Sequence, residues 1–415
     1  MNGEERIGII GYLTASHGFS GRIKEYPEDF VVDEIPQLPA AAEDGKYIIF
    51  MARIRNWETN ALAMEMAKRL GISKKLITYA GTKDKTAVKT QYFCINSRNV
   101  NPAALSIPDV EIMGTFRTDS MLRLGDLLGN RFTIRISTDA NRDMEINETA
   151  SELIAKGGFP NFFGSQRFGS IRPITHRVGK LIIRGDFRAA AMEYIADPEI
   201  DHDEFRLDFL ENEDAQRALE KFPRHLIYER IILNHIRNGV SCRDIFVEKL
   251  PRNLSMMFVH AYQSYLFNMM LSERLNSGKL LSTPEDGDVA YPVDTHFNAS
   301  KSEEIKVTRF NASKVEHLIR ENRVRITMPI FGYESRVSDG YEGDLERKIL
   351  QKEEIDLNDF SVPAARELSS KGERRIIQSG FNDFTVKENT LAFTLGKGIY
   401  ATSLLREIMK DGSVF

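Results

Sequence analysis

Thr78-Tyr-Ala-Gly-Thr-Lys-Asp-Lys-Thr-Ala-Val-Lys-Thr-Gln-Tyr-Phe-Cys-Ile95 reads as two extended runs joined by a short polar turn. The first run, Leu76 to Ala80, is apolar, and Gly81 lets the backbone turn sharply after it. The second, Val88 to Ile95, is rich in β-branched and aromatic residues and predicts a strand. Asp84 falls in the turn between Lys83 and Lys85. A carboxylate on a tight turn between strands is held rigidly, and its lysine neighbours favour the ionised form and attract a polyanion. An arbitrary Lys-Asp-Lys is more often a solvated hairpin tip, so the rest of the chain decides the weight this one carries.

Toward the N-terminus, Phe30 to Ile35 has strand propensity and is entered through Pro27, and Lys46 to Ile54 predicts an apolar, central strand. Glu58 to Leu70 predicts a helix, with Thr59 or Asn60 as cap, Leu62, Met66 and Leu70 on one face, and Gly71 as its stop. Lys68, Arg69, Lys74, Lys75, Lys83, Lys85 and Lys89 fall within 22 residues, with Asp84 the only acid among them. Toward the C-terminus, Gly129-Asn130 predicts a turn, and Phe132, Ile134 and Ile136 alternate as on a half-buried strand. Residues 157–169 hold four Phe and four Gly, which predicts a packing seam before a stacking platform. Arg167, Arg172, Arg177, Lys180 and Arg184 follow with no acid between them.

Composition then shifts. Eight acids fall between Glu199 and Asp214, predicting a solvated face turned from nucleic acid, and amphipathic helices follow from Glu220 through Leu271. Thr390 to Leu395 alternates as a strand, and Thr402 is placed to cap a closing helix carrying Leu404, Leu405, Ile408 and Met409. A tail so ordered is expected to dock on the first part of the chain, making the middle an insertion.

At 415 residues, two domains are expected. The hydrophobic fraction of 42% and net charge of −4 describe an ordinary globular chain, so attraction to nucleic acid has to come from a local patch. Two cysteines, Cys94 and Cys242, exclude a disulfide framework and a cysteine-based zinc site, and the eight histidines lack paired metal-ligand spacing. Residues 1–11 carry Glu4 and Glu5 without a long apolar region, so neither a signal peptide nor a membrane span is expected and a cytoplasmic protein is. Asp84-Lys85-Thr86 lacks the Gly-Thr that follows the aspartyl-phosphate of ion pumps, no phosphate-binding loop surrounds Gly81, and nothing in the spacing supports Glu28 or Asp29 as a glycosidase partner.

Six stretches carry a resemblance. They are Ile23-Lys24 with Pro27-Glu28-Asp29-Phe30-Val31-Val32-Asp33-Glu34; Ala80-Gly81-Thr82-Lys83-Asp84-Lys85 with Gln91; Leu122-Arg123-Leu124-Gly125 with Gly129-Asn130-Arg131-Phe132; Pro160-Asn161-Phe162-Phe163-Gly164 with Gln166-Arg167-Phe168-Gly169; Tyr262-Gln263-Ser264 with Phe267-Asn268; and Gly398-Ile399-Tyr400-Ala401-Thr402 with Leu405-Arg406-Glu407. In this order, over nearly the whole chain, they resemble the TruD family of pseudouridine synthases. The resemblance implies an α+β chain: a mixed, mainly antiparallel central sheet in a discontinuous catalytic domain, residues 1–169 and 371–415, interrupted by an inserted α/β domain, residues 170–370. It implies an isomerase that converts uridine to pseudouridine in tRNA, at uridine 13, without cofactor or metal; separately, a monomer without an obligate protein partner is expected.

By position, the resemblance implies Asp84 as the catalytic aspartate and Lys24 as its basic partner, with Phe30, Asn130, Phe132 and Tyr400 lining a uridine pocket. Tyr400 stands where some members have Phe; either ring stacks on uracil, and the added hydroxyl needs a partner. These residue types suit the chemistry. Breaking the glycosidic bond develops oxocarbenium character that a fixed carboxylate stabilises or traps, by attack at C1′ or by way of a glycal. Aromatic rings retain a detached uracil while it rotates, at roughly 1–3 kcal/mol per stacked base. Lys74, Lys75, Lys83, Lys85, Lys89, Arg167, Arg172, Arg177 and Lys180 are the candidates for phosphate contact. The rival reading is a tRNA-binding chaperone without chemistry. Core packing is the commoner role for strand residues such as Phe30 and Phe132.

Overall fold

A computed structural model of the chain describes residues 3–83 and 85–412; Asp84 itself lies outside the described residues. The strands, in chain order, are β1 (Phe30–Pro36), β2 (Tyr47–Arg55), β3 (Ile77–Tyr79), β4 (Val88–Ile95), β5 (Val110–Thr118), β6 (Leu127–Arg135) and β7 (Phe159–Pro160). They continue as β8 (Val289–Pro292), β9 (Ile305–Lys306), β10 (Val324–Ile330), β11 (Glu373–Ile376), β12 (Gln378–Ser379), β13 (Asn382–Lys387) and β14 (Thr390–Gly396). Among the described residues the large sheet runs β13-β14-β6-β1-β4-β2-β5, with β3 on β4. Every pairing in it is antiparallel except β1 with β4. The fold is therefore α+β with a mixed, mainly antiparallel sheet. A second sheet, β11-β10-β8-β9, and the short pair β12-β7 complete the strand structure.

Register places the side chains. Phe30 opposes Ile134, Val32 opposes Phe132, Glu34 opposes Asn130 and Phe393 opposes Phe132, so these residues share one face. Val32 pairs with Lys89 across the parallel seam, and Gln91 pairs with Ala52, which carries the same face onto β4 and β2. Helices cover the apolar parts of this face. The helix Thr59–Leu70 puts Leu62, Ala63 and Met66 on Phe50, Ala52, Ile54 and Phe93. The helices Asp143–Ala155 and Ala401–Met409 bring Ile146, Leu153, Leu404 and Leu405 to the core that holds Phe132 and Phe393. Fully burying each such side chain contributes about 1.5–3 kcal/mol. The tail from residue 382 thus docks on the first part of the chain, as expected.

Several local expectations change. Gly129 and Asn130 do not turn; they lie within β6, paired with Gly396 and Leu395 of β14. Gly129 is required by approach distance, since a Cβ there would sit 2.2 Å from the Leu395 carbonyl oxygen. Glu58, not Thr59 or Asn60, caps the first helix, its carboxylate accepting from the Asn60 and Ala61 amides. Thr402 caps nothing, because its helix already begins at Ala401. Residues 80–87 form a wider connection than a tight hairpin, since β3 pairs only with the far end of β4.

The acidic run is solvent-facing at Glu199, Asp203, Glu204, Glu211, Glu213 and Asp214, as expected, but two of its acids are used inside the fold. Asp201 is buried in a bidentate pair with Arg172, and Asp208 holds Arg217 and Lys221. The helix Arg252–Leu275 is buried on most of its surface, and its polar residues clasp other segments. Asn268 donates to the Ile7 and Phe163 carbonyls and accepts from the Phe163 amide, while Gln263 donates to Ser370. Phe159, Phe162, Phe163 and Phe168 are all buried, so the Phe-rich stretch is core.

Gly129→Ala forces β6 and β14 apart. A loss of roughly 1–3 kcal/mol in denaturant unfolding is expected; unchanged stability would contradict the close approach.

Candidate active site

The connection 80–87 begins where β3 ends, beside the N-terminus of the helix Thr59–Leu70. Its flanks are tied to the interior by polar groups. The Thr59 hydroxyl accepts from the Lys83 amide at 3.1 Å and donates to Gln91 Oε1 at 3.3 Å. Gln91, fully buried, donates through Nε2 to the Gly81 carbonyl. Lys89, on the strand that follows, is also without exposed surface; its ammonium donates to the carbonyls of Trp57 and Lys83. The Lys83 ammonium turns inward to Glu34 Oε2 at 2.7 Å, with both side chains almost wholly removed from solvent.

These contacts have one effect. A buried amide, ammonium or carboxylate is tolerated only with partners, so each partner's position is dictated. Burial raises the Glu34 carboxyl above its ordinary range, and Lys83 and the Tyr92 amide oppose the rise. Residues 81 and 83 are consequently fixed on one side of position 84, and Lys89 holds the exit of the connection.

Beside this scaffold, on the same sheet face, Phe30 and Phe132 meet edge to face with centroids 6.1 Å apart, and Phe132 stacks on Phe393 at 5.5 Å. Lys24 sits just before β1, half-buried, in the left-handed region at φ 61°, and its ammonium lies 4.1 Å from the Phe30 ring centroid. Such a φ is uncommon outside glycine and is kept only where surroundings enforce it. Asn130 reaches inward from β6, and its buried Oδ1 has no hydrogen-bond partner among the described residues. Buried polar atoms are normally paired, so this one is open to an incoming group.

Tyr400 follows the turn after β14 and lies 6.1 Å from the Phe163 ring. Sequence reasoning missed what holds it. The Arg375 guanidinium lies 4.3 Å from the Phe163 centroid and 5.6 Å from that of Tyr400, and donates to the carbonyls of Asn161 and Gly398 and to Asn161 Oδ1. Burial lowers its pKa to about 10. It lines, with Arg167, His260, Lys397 and Tyr400, a cavity of about 680 Å³. Asn161 stood in a quoted motif, but Arg375 carried no signal beyond being one arginine of a pair on a short strand.

The basic candidates divide. Lys74, Lys75 and Lys85 are exposed, and Arg167 is half-buried at the cavity, donating to Ser264. Lys83 and Lys89 are used inside the fold and reach no phosphate in this conformation. Arg172 is spent on Asp201, Arg177 on Glu193 and Asp197, and Lys180 on Glu353. Counting charge along the chain could not see these acids, which the fold brings from elsewhere.

Removing Lys83 leaves Glu34 alone in the interior. A folded pKa above the unfolded value of 4.5 gives stability that is present at low pH and lost as pH rises through the folded value. Lys83→Met is therefore expected to cost about 3–5 kcal/mol where Glu34 is charged, and distinctly less at pH 5 than at pH 8. Equal loss at both pH values, measured by urea unfolding, would contradict a buried pair.

The profile of the family described as tRNA pseudouridine synthase D (TruD) matches residues 6–408. A Picrophilus torridus protein described as a probable tRNA pseudouridine synthase D is 44% identical, over 97% of each chain. A Thermoplasma volcanium protein of the same description is 45% identical over 93% of each. The crystal structure of a Methanosarcina mazei protein assigned as tRNA pseudouridine synthase D (TruD) superposes with a TM-score of 0.82 at 34% identity, covering 99% of this chain and 98% of that one. Full-length similarity of this kind, in sequence and in fold, makes the chain a member of the TruD family and a tRNA pseudouridine synthase, an isomerase.

Proposed function

We propose that this enzyme isomerises uridine 13 of tRNA, with Asp84 as the reactive carboxylate and Lys24 as its basic partner. The observation that carries this reading is the buried scaffold of Glu34, Lys83, Thr59, Gln91 and Lys89. It fixes the residues just before position 84 next to a sheet face bearing Phe30, Phe132 and Asn130. A preorganised carboxylate has no reorganisation to undergo as positive charge develops on the ribose, which is where electrostatic catalysis gains most.

In the proposed path the N1–C1′ bond breaks as its electron pair leaves with uracil. Asp84 either attacks C1′ or takes the C2′ proton. The base turns and C5 bonds to C1′ as the ester C–O bond breaks to release the Asp84 carboxylate, or, by way of the glycal, as the carboxyl returns its proton to C2′; N1 takes a proton from solvent and the C5 proton leaves to solvent. No atoms or electrons are gained overall, so the path calls for no cofactor. The buried Phe30 and Phe132 back the apolar surface on which the base turns, the half-buried Tyr400 adds a ring to it, and the open Asn130 Oδ1 accepts from a uracil N–H. Lys24, held against Phe30, offsets the carboxylate charge once RNA excludes water.

RNA phosphates are proposed to contact Lys74, Lys75, Lys85 and Arg167, the candidates that the fold leaves accessible. The division of the chain into a catalytic part (1–169 and 371–415) and an insertion (170–370) is proposed as well. It is supported by sheet membership, since the large sheet takes strands only from residues 30–135 and 382–396. Among the described residues no helix is long and apolar enough to cross a membrane.

Asp84→Asn is expected to bind unmodified tRNA with near wild-type affinity and to release no tritium from 5-tritiated uridine; release at the wild-type rate would sink the assignment. Lys74→Glu with Lys75→Glu is expected to weaken binding at low salt and to lower the slope of log K against log salt by about one to two. An unchanged slope would move the RNA path elsewhere.

A further inference from the structure

The stretch Leu122-Arg123-Leu124-Gly125 has no role in the path above, yet its geometry is unusual. Leu122 is fully buried and Leu124, two residues on, is 72% exposed. Residues 123–126 close a β-turn: the Asp126 amide donates to the Arg123 carbonyl at 3.1 Å, and the Arg123 amide donates back to the Asp126 carboxylate at 2.6 Å. Gly125, at φ 98°, takes the third position, where a type II turn needs a positive φ. Leu124 is thus the tip.

The turn is braced from both sides by the segments that carry the proposed chemistry. The Gly125 amide donates to the Ala80 carbonyl at 2.7 Å, and the Thr78 hydroxyl donates to the Leu122 carbonyl at 2.6 Å. From the other side the Lys397 ammonium donates to the Gly125 carbonyl at 3.2 Å, three residues before Tyr400. The chain then enters β6 toward Asn130. A single exposed leucine on a mobile loop needs no explanation. An apolar tip on a fixed turn, with the exposed Arg123 and Lys397 beside it, does.

A base that undergoes chemistry at its glycosidic bond has to leave its stack, and the gap it leaves collapses unless something fills it. Proteins that hold such gaps open insert an apolar side chain between base steps and grip the flanking phosphates with cations. We propose that Leu124 is that wedge: it enters the tRNA base stack at the place vacated by the target uridine, with Arg123 and Lys397 on the adjoining phosphates. The proposal rests on the reading that residue 84 carries the reactive carboxylate, since the bond from Gly125 to Ala80 ties the turn to the start of the connection that holds residue 84. Leu124 is a positioning residue and touches no reacting atom.

The test uses the full chain and a tRNA transcript carrying 2-aminopurine next to the target uridine. Wild type and Leu124→Met are expected to raise the fluorescence on binding and to isomerise at similar single-turnover rates. Leu124→Ala and Leu124→Ser are expected to lose the fluorescence rise and to slow by about 10- to 100-fold, with affinity changed by less than about threefold, because the flipped state and not the ground-state complex is what the wedge stabilises. Wild-type rate and fluorescence in Leu124→Ala would overturn the proposal. So would weaker binding with an unchanged saturating rate, which marks a plain contact. Asp84→Asn in the same assay keeps the reading of the centre separate: it is expected to give the fluorescence rise without product. Turnover by Asp84→Asn would remove that reading, while the comparison at Leu124 still reports on the wedge.

Discussion

Lys83 and Glu34 leave water together, and the rest of the site depends on that joint burial. An isolated charge in that place would cost several kcal/mol. The pair is tolerable only because the ammonium and carboxylate meet at 2.7 Å and the carboxylate also receives the Tyr92 amide. Its geometry fixes a residue of the connection 80–87 against a residue of β1. Thr59, Gln91 and Lys89 extend the same logic to the start of a helix and to β4. Gly81 and Lys83 are thereby tied to the sheet and to the helix that starts at Thr59.

The central pair of strands explains where this happens. β1 and β4 run parallel, the one departure from antiparallel order in the large sheet, and the chain from one to the other passes through β2, a helix and β3. The crossover brings the connection 80–87 back over the middle of a face that helices cover only toward its two ends. In the middle of that face the sheet presents Glu34, Lys89, Gln91 and Asn130 in place of apolar side chains. Glu34, Lys89 and Gln91 are consumed in holding Lys83, Trp57, Thr59 and Gly81. Asn130 Oδ1 has no hydrogen-bond partner among the described residues, which is why it is proposed as an acceptor for the base.

Much of this was legible in the sequence, and the misses have physical causes. The strands at 30–35, 88–95 and 390–395 were readable because a half-buried strand alternates and favours β-branched and aromatic residues. Gly129-Asn130 read as a turn because those residues favour turns locally. Here the glycine serves the close approach of β14, a non-local demand with no local sign. Lys89 read as a phosphate contact, whereas it is buried with Gln91 on the same side of the strand. Arg172, Arg177 and Lys180 read as a basic patch because their acidic partners lie 16 or more residues away along the chain. The naming of Lys24, Phe30 and Asn130 together came from the family resemblance, since nothing in their spacing announces it.

The central claim is that a carboxylate at residue 84, held by this buried scaffold, isomerises one uridine of tRNA. Mapping pseudouridine at nucleotide resolution on an unmodified transcript, with wild type and Asp84→Asn side by side, tests it most directly. The account predicts a single new pseudouridine at position 13 from wild type, none from Asp84→Asn, and none from either protein on a transcript with cytidine at that position. Pseudouridine formed by Asp84→Asn at the wild-type rate, or formed by wild type only at other positions, would contradict it.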